Sequence, residues 1–302
     1  MIPVSFNYKK ASSVEEALNM LDDDAQILGG GHSLIPALKL RLNAPGTLVD
    51  ISKINSIKNI SDNEKSISIG GGVTHAAIAN STVLAEHCPM MVQAAKEIGD
   101  IQVRNCGTIG GSIAHADPAA DWPAVLLAAD ANVMIHGKNG KRTVDIDQFF
   151  KGFYETALED GEIITGISIP KTAFNRHSAY VKFKQPASRF AIVGCAVAAD
   201  MSGGTVNSAR IGITGVAESA YRAMNAENAL KGQSLNDSTI DAAVQNITEG
   251  VSVMGDHYAS EKYRSHLAHV YTKRALKKLS WFLIKSYILS LPVLTELVGS
   301  SL

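Results

Sequence analysis

Three consecutive glycines, Gly29-Gly30-Gly31, separate a short apolar stretch, Gln26-Ile27-Leu28, from a segment able to be helical, Leu34 to Leu42. Glycine has no Cβ, so a triplet lets backbone amides lie directly against a ligand and take positive φ at no steric cost. Ser33 is placed to cap the following helix, and Pro36 falls in its first turn, where a missing N–H is not needed. A helix start with open amides and the positive end of the dipole suits an anion. The octapeptide Gly29-Gly30-Gly31-His32-Ser33-Leu34-Ile35-Pro36 therefore reads as a diphosphate-binding loop or, without a ligand, as a tight strand-to-helix turn.

Residues 99–123 form the second informative stretch. Gly107, Gly110 and Gly111 place three glycines in five positions, with Thr108 and Ser112 as hydroxyl donors. As a loop, this segment would offer amides and hydroxyls to phosphates and a ribose. Asp117-Pro118 has the form of a helix opening, with Asp as cap and Pro at the first helical position. Asp121, one turn further, can accept from ribose hydroxyls or simply favour the helix dipole in solvent. His115 reads as a hydrogen-bonded loop histidine. A further triplet, Gly70-Gly71-Gly72, ends a strand ahead of a helix capped by Thr74, and reads as structural.

A chain of 302 residues suggests two domains, and 46% hydrophobic residues suffice for real cores. The net charge of −1 gives no sign of a nucleic-acid surface. Cys88, Cys106 and Cys195 are too scattered for an iron–sulfur cluster or a structural zinc, and they fit a reducing compartment. Cys106 reads as a small buried filler. The N-terminus, Met1-Ile2-Pro3-Val4-Ser5, lacks a basic region followed by an apolar run, so no secretory signal is expected. The apolar stretch Trp281 to Val298 is broken by Lys285, Pro292 and Glu296, so a membrane span is not expected.

Ser12-Ser13-Val14-Glu15 reads as a capping box ahead of an apolar helical face, Val14, Ala17, Leu18 and Leu21. Strands at Gln26–Leu28 and Thr47–Ile51 complete a small parallel strand–helix unit. Hairpins are expected at 57–69 and 132–144, and a strand at Ile163–Ile169. Phe149 to Tyr154 form an aromatic cluster suited to a core or an interface. A domain boundary falls near Lys171–His177. Beyond it, strands at Tyr180–Lys184, Ile192–Ala199 and Ala209–Thr214 precede helices at Ala220–Leu230, Ser238–Glu249 and Ser260–Lys278, an α+β pattern.

Neither glycine loop has a nicotinamide or P-loop signature: Gly-x-Gly-x-x-Gly is absent from the first βα turn, and no Gly-Lys-Ser/Thr follows either triplet. Two separate loops could grip a longer molecule with two phosphates and two ends, such as a flavin dinucleotide.

Gly29-Gly30-Gly31-His32-Ser33 with Leu34-Ile35-Pro36 and Lys39-Leu40-Arg41 resembles the first flavin motif of the FAD subunits of molybdenum hydroxylases, of the aerobic carbon monoxide dehydrogenase type. Arg104-Asn105-Cys106-Gly107-Thr108-Ile109-Gly110-Gly111-Ser112, continued by His115-Ala116-Asp117-Pro118-Ala119, resembles the second motif. The resemblance runs from Tyr8 to about Lys278. It implies an α+β chain with a two-part FAD-binding domain of the PCMH, vanillyl-alcohol-oxidase-like, type at 1–174 (subdomains 1–54 and 55–174). A C-terminal domain at 175–280, a three-stranded antiparallel sheet plus helices, would follow. The apolar tail 281–302 lies outside the likeness.

It also implies non-covalent FAD. The loop Gly29 to Pro36 would hold the diphosphate, and Thr108, Ile109, Gly110, Gly111 and Ser112 the diphosphate and ribitol from the other side. Asp121 would take ribose or ribitol hydroxyls. Ile98 and Ile164 would line the flavin or adenine, and Lys184 would sit at the pyrimidine end of the isoalloxazine, where a cation stabilises reduced flavin. The segment after Lys184 lacks the Gly-Asp-Tyr of some relatives. The implied activity is electron transfer from iron–sulfur clusters on a partner to an external acceptor. The molybdenum cofactor would sit on a large subunit and [2Fe-2S] clusters on a small one, in a cytoplasmic heterohexamer, with association at the inner face of the membrane left open. The alternatives are a self-contained FAD oxidoreductase, with His32 as a covalent anchor, and a flavin-free scaffold subunit.

Overall fold

The structure, a computed structural model, describes residues 2–172, 175 and 177–290. It contains three main sheets. The first is parallel, in the order β1 (Asn7–Lys10), β3 (Thr47–Asp50), β2 (Ala25–Leu28). Its connections are α1 (Val14–Met20) and α2 (Leu34–Lys39). The cap of α1 is Ser13, whose hydroxyl accepts from Glu16 N, while the Glu16 carboxylate accepts from Ser12 N at 2.7 Å. The capping exchange thus uses Glu16, one position beyond the Glu15 read from the sequence. Val14, Ala17 and Leu18 turn inward and meet Val49, Ile54 and Ile163.

The second sheet is antiparallel, in the order β4 (Ile60–Asp62), β5 (Ser66–Gly70), β10 (Ile163–Pro170), β6 (Asn132–Gly137), β7 (Gly140–Asp145). Ile57, expected in the first hairpin, lies instead in a 3-10 turn, Asn55–Ile57. Between β5 and β6 the chain makes six helices: α3 (His75–Ala79), α4 (Thr82–His87), α5 (Pro89–Glu97), α6 (Ile101–Cys106), α7 (Ile109–His115) and α8 (Asp121–Ala128). A short ribbon, β8 (Phe150–Gly152) with β9 (Glu155–Thr156), lies between β7 and β10.

Residues 99–123 are thus mostly helical rather than one loop. Asp100 caps α6 by accepting from Val103 N at 2.9 Å, and Thr108 caps α7 by accepting from Gly111 N at 3.1 Å. Hydroxyl and carboxylate caps at this spacing turn the glycine run into helix starts. Asp117-Pro118 opens no helix. Asp117 Oδ1 accepts from Ala119 N in a tight turn, and α8 begins at Asp121.

The third sheet is antiparallel: β11 (Ser178–Lys184), β12 (Ala191–Ser202), β13 (Thr205–Thr214) and the two-residue β14 (Tyr221–Arg222). The last strand extends the expected three. Helices α9 (Met224–Leu230), α10 (Asp237–Val244) and α11 (Glu261–Ser290) follow. In β12 the pleat sends Ala196 and Ala198 into the core shared with Trp122 and Ala124, while Cys195, Val197 and Ala199 enter the core shared with Ala268 and Leu276. This explains the near-continuous apolar run of that strand, which alternation alone would not produce. A Cβ on Gly212 would stand 2.0 Å from the Ala124 carbonyl oxygen, so glycine lets β13 lie directly on α8. The boundary expected at 171–177 falls partly on residues outside those described, as does the end of the tail at 291–302.

Candidate cofactor site

The two glycine loops touch. A Cβ on Gly30 would fall 2.2 Å from the Cys106 carbonyl oxygen and 2.7 Å from Gly107 Cα. Gly31, at φ +73°, turns the chain into α2. The second loop is backed by the third triplet: Gly110 N donates to the Gly71 carbonyl at 2.9 Å, and a Cβ on Gly110 would stand 2.6 Å from that oxygen. Gly71 N in turn donates to Thr165 in β10 at 2.9 Å. The triplet read as structural is what fixes the second loop to the sheet.

Between the loops lies a cavity of about 720 Å³. Of the residues singled out from the sequence, its wall contains Gly29, Gly30, Gly31, His32, Ser33, Leu34, Ile98, Thr108, Gly110, Gly111, Ser112, Asp121 and Ile164. Four others lie elsewhere. Ile35 and Pro36 are exposed on α2, and Ile109 is fully buried in the core. Lys184 is exposed and paired with Glu97 at 3.2 Å, beside the wall residue Ile98.

The loops offer different chemistry. No protein acceptor takes the amides of Gly30, Gly31, His32 or Ser33 among the described residues. Ser33 adopts φ −103°, ψ −48°, and its hydroxyl makes no capping bond, contrary to the expected cap. In the second loop the amides of residues 109–112 are already used. Ile109 donates to Val73 O, Gly110 to Gly71 O, Gly111 to Thr108 Oγ1 and Ser112 to Thr108 O. The second loop therefore offers Cβ-free glycines and the hydroxyls of Thr108 and Ser112 to the cavity rather than an amide cradle.

Asp121 is buried, not a solvated first-turn carboxylate. It accepts the Tyr180 hydroxyl and faces the Lys182 ammonium at 2.9 Å. Burial raises its carboxyl above the usual range, and the Lys182 charge opposes that shift. Lys182 also donates to the Arg189 carbonyl at 2.7 Å, so this buried pair fixes the turn between β11 and β12. That turn brings Ser188, Arg189 and Phe190 to the cavity rim. Arg189, at φ +61°, donates to the Gly99 carbonyl at 3.1 Å, and Arg104 donates to Gly99 and Ile98 carbonyls at 3.0 and 2.9 Å. The two guanidinium groups hold the turn that carries Ile98.

His75, Tyr154, Arg189 and Phe190 also line the cavity. Of these, Arg189 and Phe190 lie in the link between the strands that end at Lys184 and begin at Ala191, and Tyr154 lies in the aromatic cluster read from the sequence, whereas His75 carried no local signal. Phe149 is fully buried, but Tyr154 stands on the rim at φ +56°, donates to Asp117 at 3.1 Å, and lies 5.0 Å from the His115 ring. Cys106 is exposed, not buried: it ends α6, a helix with no buried residue. His32 is turned back on its own loop, with Nδ1 2.9 Å from the Gly30 carbonyl oxygen. Among the described residues no cluster of metal-ligating side chains occurs, and no helix is long and apolar enough to cross a membrane.

A two-part unit that closes two Cβ-free turns on one cavity, followed by a sheet-and-helix domain, defines a dinucleotide-binding class of protein. Residues 4–172 match the family described as the FAD binding domain in molybdopterin dehydrogenase, and residues 178–279 match the CO dehydrogenase flavoprotein C-terminal domain. The chain belongs to this family of flavoprotein subunits. It is 38% identical over 279 residues to the carbon monoxide dehydrogenase medium chain of Hydrogenophaga pseudoflava, covering 91% of this chain and 97% of that one. It is 34% identical over 282 residues to the glyceraldehyde dehydrogenase medium chain of Sulfolobus acidocaldarius, covering 93% and 100%. Among solved structures, a Cu,Mo-CO dehydrogenase in its cyanide-inactivated form matches with TM-score 0.88 and 35% identity over 92% of this chain and 98% of that one. Quinoline 2-oxidoreductase from Pseudomonas putida 86 matches with TM-score 0.88 and 33% identity, covering 93% and 99%.

Proposed function

We propose that this chain holds FAD non-covalently and is the electron-transfer subunit of a molybdenum-containing hydroxylase, joined to a large molybdopterin subunit and a small [2Fe-2S] subunit in a cytoplasmic heterohexamer. The observation that carries the reading is the contact of the two glycine loops around one cavity. The residues present fit the group. The cavity, about 720 Å³, falls within the range of cofactor sites, roughly 300–1,000 Å³. Four open amides at Gly30 to Ser33 form an anion cradle with no protein acceptor among the described residues.

In this reading Gly30 to Ser33 bind the diphosphate, and Thr108 and Ser112 offer hydroxyls to it and to the ribitol. Asp121 keeps acceptor capacity for a ribose or ribitol hydroxyl beside its bonds to Tyr180 and Lys182. Ile98 and Ile164 supply apolar walls. Lys184, outside the cavity wall and paired with Glu97, is the cation assigned to the pyrimidine end. When bound, the flavin converts between two-electron and one-electron steps. The chain's own residues bind and orient it, and none is required to move a proton. Relatives at 38%, 34% and 32% identity are named for carbon monoxide, glyceraldehyde and nicotine, so substrate choice is assigned to a partner chain.

The test is to purify the complex from its own host, denature it and analyse the released flavin. The expected result is free FAD, about one per chain, with a large molybdenum protein and a small cysteine-rich protein co-purifying. Flavin remaining on the denatured chain would favour the covalent oxidase, and a colourless preparation the scaffold.

A further inference from the structure

We propose that His75 is a positioning residue that donates a hydrogen bond from Nε2 to a phosphate oxygen of the dinucleotide held between the glycine loops. The proposal rests on the reading that this cavity takes FAD.

His75 opens α3 and is only 4% exposed, yet it lines the cavity. Its ring is fixed from behind. The Trp122 indole Nε1–H lies 3.1 Å from His75 Nδ1. An indole N–H can only donate, so Nδ1 carries a lone pair and the ring proton sits on Nε2. Trp122 is itself fully buried in α8, and the His75 amide donates to the Gly107 carbonyl at 3.0 Å. The imidazole is thus held at both its backbone and its near nitrogen, Nδ1.

Nε2 has no hydrogen-bond partner among the described residues. It lies over Gly107, where a Cβ would approach it to 2.7 Å, so glycine leaves the nitrogen its room. Gly107 is also the residue against which Gly30 packs. The free N–H therefore stands where the two loops meet and borders the same cavity as the open amides of Gly30 to Ser33. Donors that converge without an acceptor suit an oxyanion, and the diphosphate is the anionic part of the dinucleotide. Burial, helped by His32 and Arg104, holds His75 down at about 4, so the ring stays a neutral donor through the physiological range.

The test uses the full-length chain in its complex, with His75→Phe and His75→Gln. Phenylalanine keeps the ring volume and removes both nitrogens. Glutamine offers an N–H at similar reach and a carbonyl oxygen to accept from Trp122. The apoprotein melting temperature, the FAD dissociation constant and the phosphorus NMR shift of bound FAD are measured for each. His75→Phe should weaken FAD binding about tenfold, the value of one hydrogen bond to a charged acceptor, and move a diphosphate resonance. His75→Gln should recover most of the loss. Unchanged affinity and resonances in His75→Phe would overturn the proposal. Equal losses in both variants, matched by equal falls in apoprotein melting temperature, would also overturn it and leave a purely structural histidine. Wild-type protein that takes up no FAD would instead overturn the cofactor reading itself.

Discussion

Lys182 and Asp121 form a fully enclosed ion pair, 2.9 Å apart, with no exposed surface on the lysine side chain. It joins β11 of the C-terminal domain to the first residue of α8 in the N-terminal one. Removing one member leaves the other charged and buried without its partner, at a cost of about 3–5 kcal/mol. Lys182→Met should therefore destabilise the chain by that amount in urea unfolding. The double variant Lys182→Met, Asp121→Asn should recover a substantial part. A single variant as stable as wild type would contradict the assignment.

Gly30 and Gly111 both face the cavity but differ in what lies where a Cβ would go. At Gly30 the neighbours are backbone atoms of Cys106 and Gly107, at 2.2 and 2.7 Å. At Gly111 the neighbour is one side-chain atom, Thr108 Oγ1, at 2.9 Å. Gly30→Ala should push the loops apart and lower both stability, by about 1–3 kcal/mol, and FAD content. Gly111→Ala should leave the apoprotein stable to within about 1 kcal/mol, because alanine is the better helix former and the threonine can turn. Its FAD content should still fall. Flavin absorbance and apoprotein unfolding, measured on both variants, separate the two effects. A valine at Gly110 would meet the Gly71 backbone and so could not leave the fold intact.

Glu162, on the cavity wall, receives two bonds from Arg142, both 2.6 Å long. The Arg142 guanidinium holds the Glu162 carboxyl below the usual range. The unfolded state therefore binds this proton more readily than the folded state. The pair's contribution is fully present above the ordinary glutamate value of about 4.3 and is lost as pH falls through the lower folded value. Urea unfolding between about pH 6 and 3 should show a shallower acid slope in Glu162→Gln than in wild type.

Cys88 and Cys195 are buried, and burial pushes both thiols up to about 12. A thiolate is the reactive form, so neither should react in the folded protein. Cys106 is exposed. A thiol reagent should titrate one cysteine in the native chain and three after denaturation, and Cys106→Ser should remove the native signal.

The strand and helix order was legible because the apolar periodicity is strong: Val14, Ala17, Leu18 and Leu21 on α1, Ile67 and Ile69 on β5. The glycine loops were legible because a triplet has few other uses. Several features were not. Thr108 and Asp100 convert a glycine-rich stretch into two capped helices, and those caps compete with the amides the sequence seemed to leave open. Cys106 looked buried beside glycines, but its helix buries none of its residues. The partners of Asp121 lie 59 and 61 residues away, and the partner of His75 lies 47 away. Contacts of that range leave no mark on local spacing.

Strand β12 sends alternate residues into two cores, so the two modules share a wall rather than a linker. A strand that belongs to both cores ties any movement of one module to the other. The rim segments around Tyr154 and Arg189 border the cleft, the first tied by its hydroxyl to Asp117, the second by its guanidinium to Gly99 and by its carbonyl to Lys182.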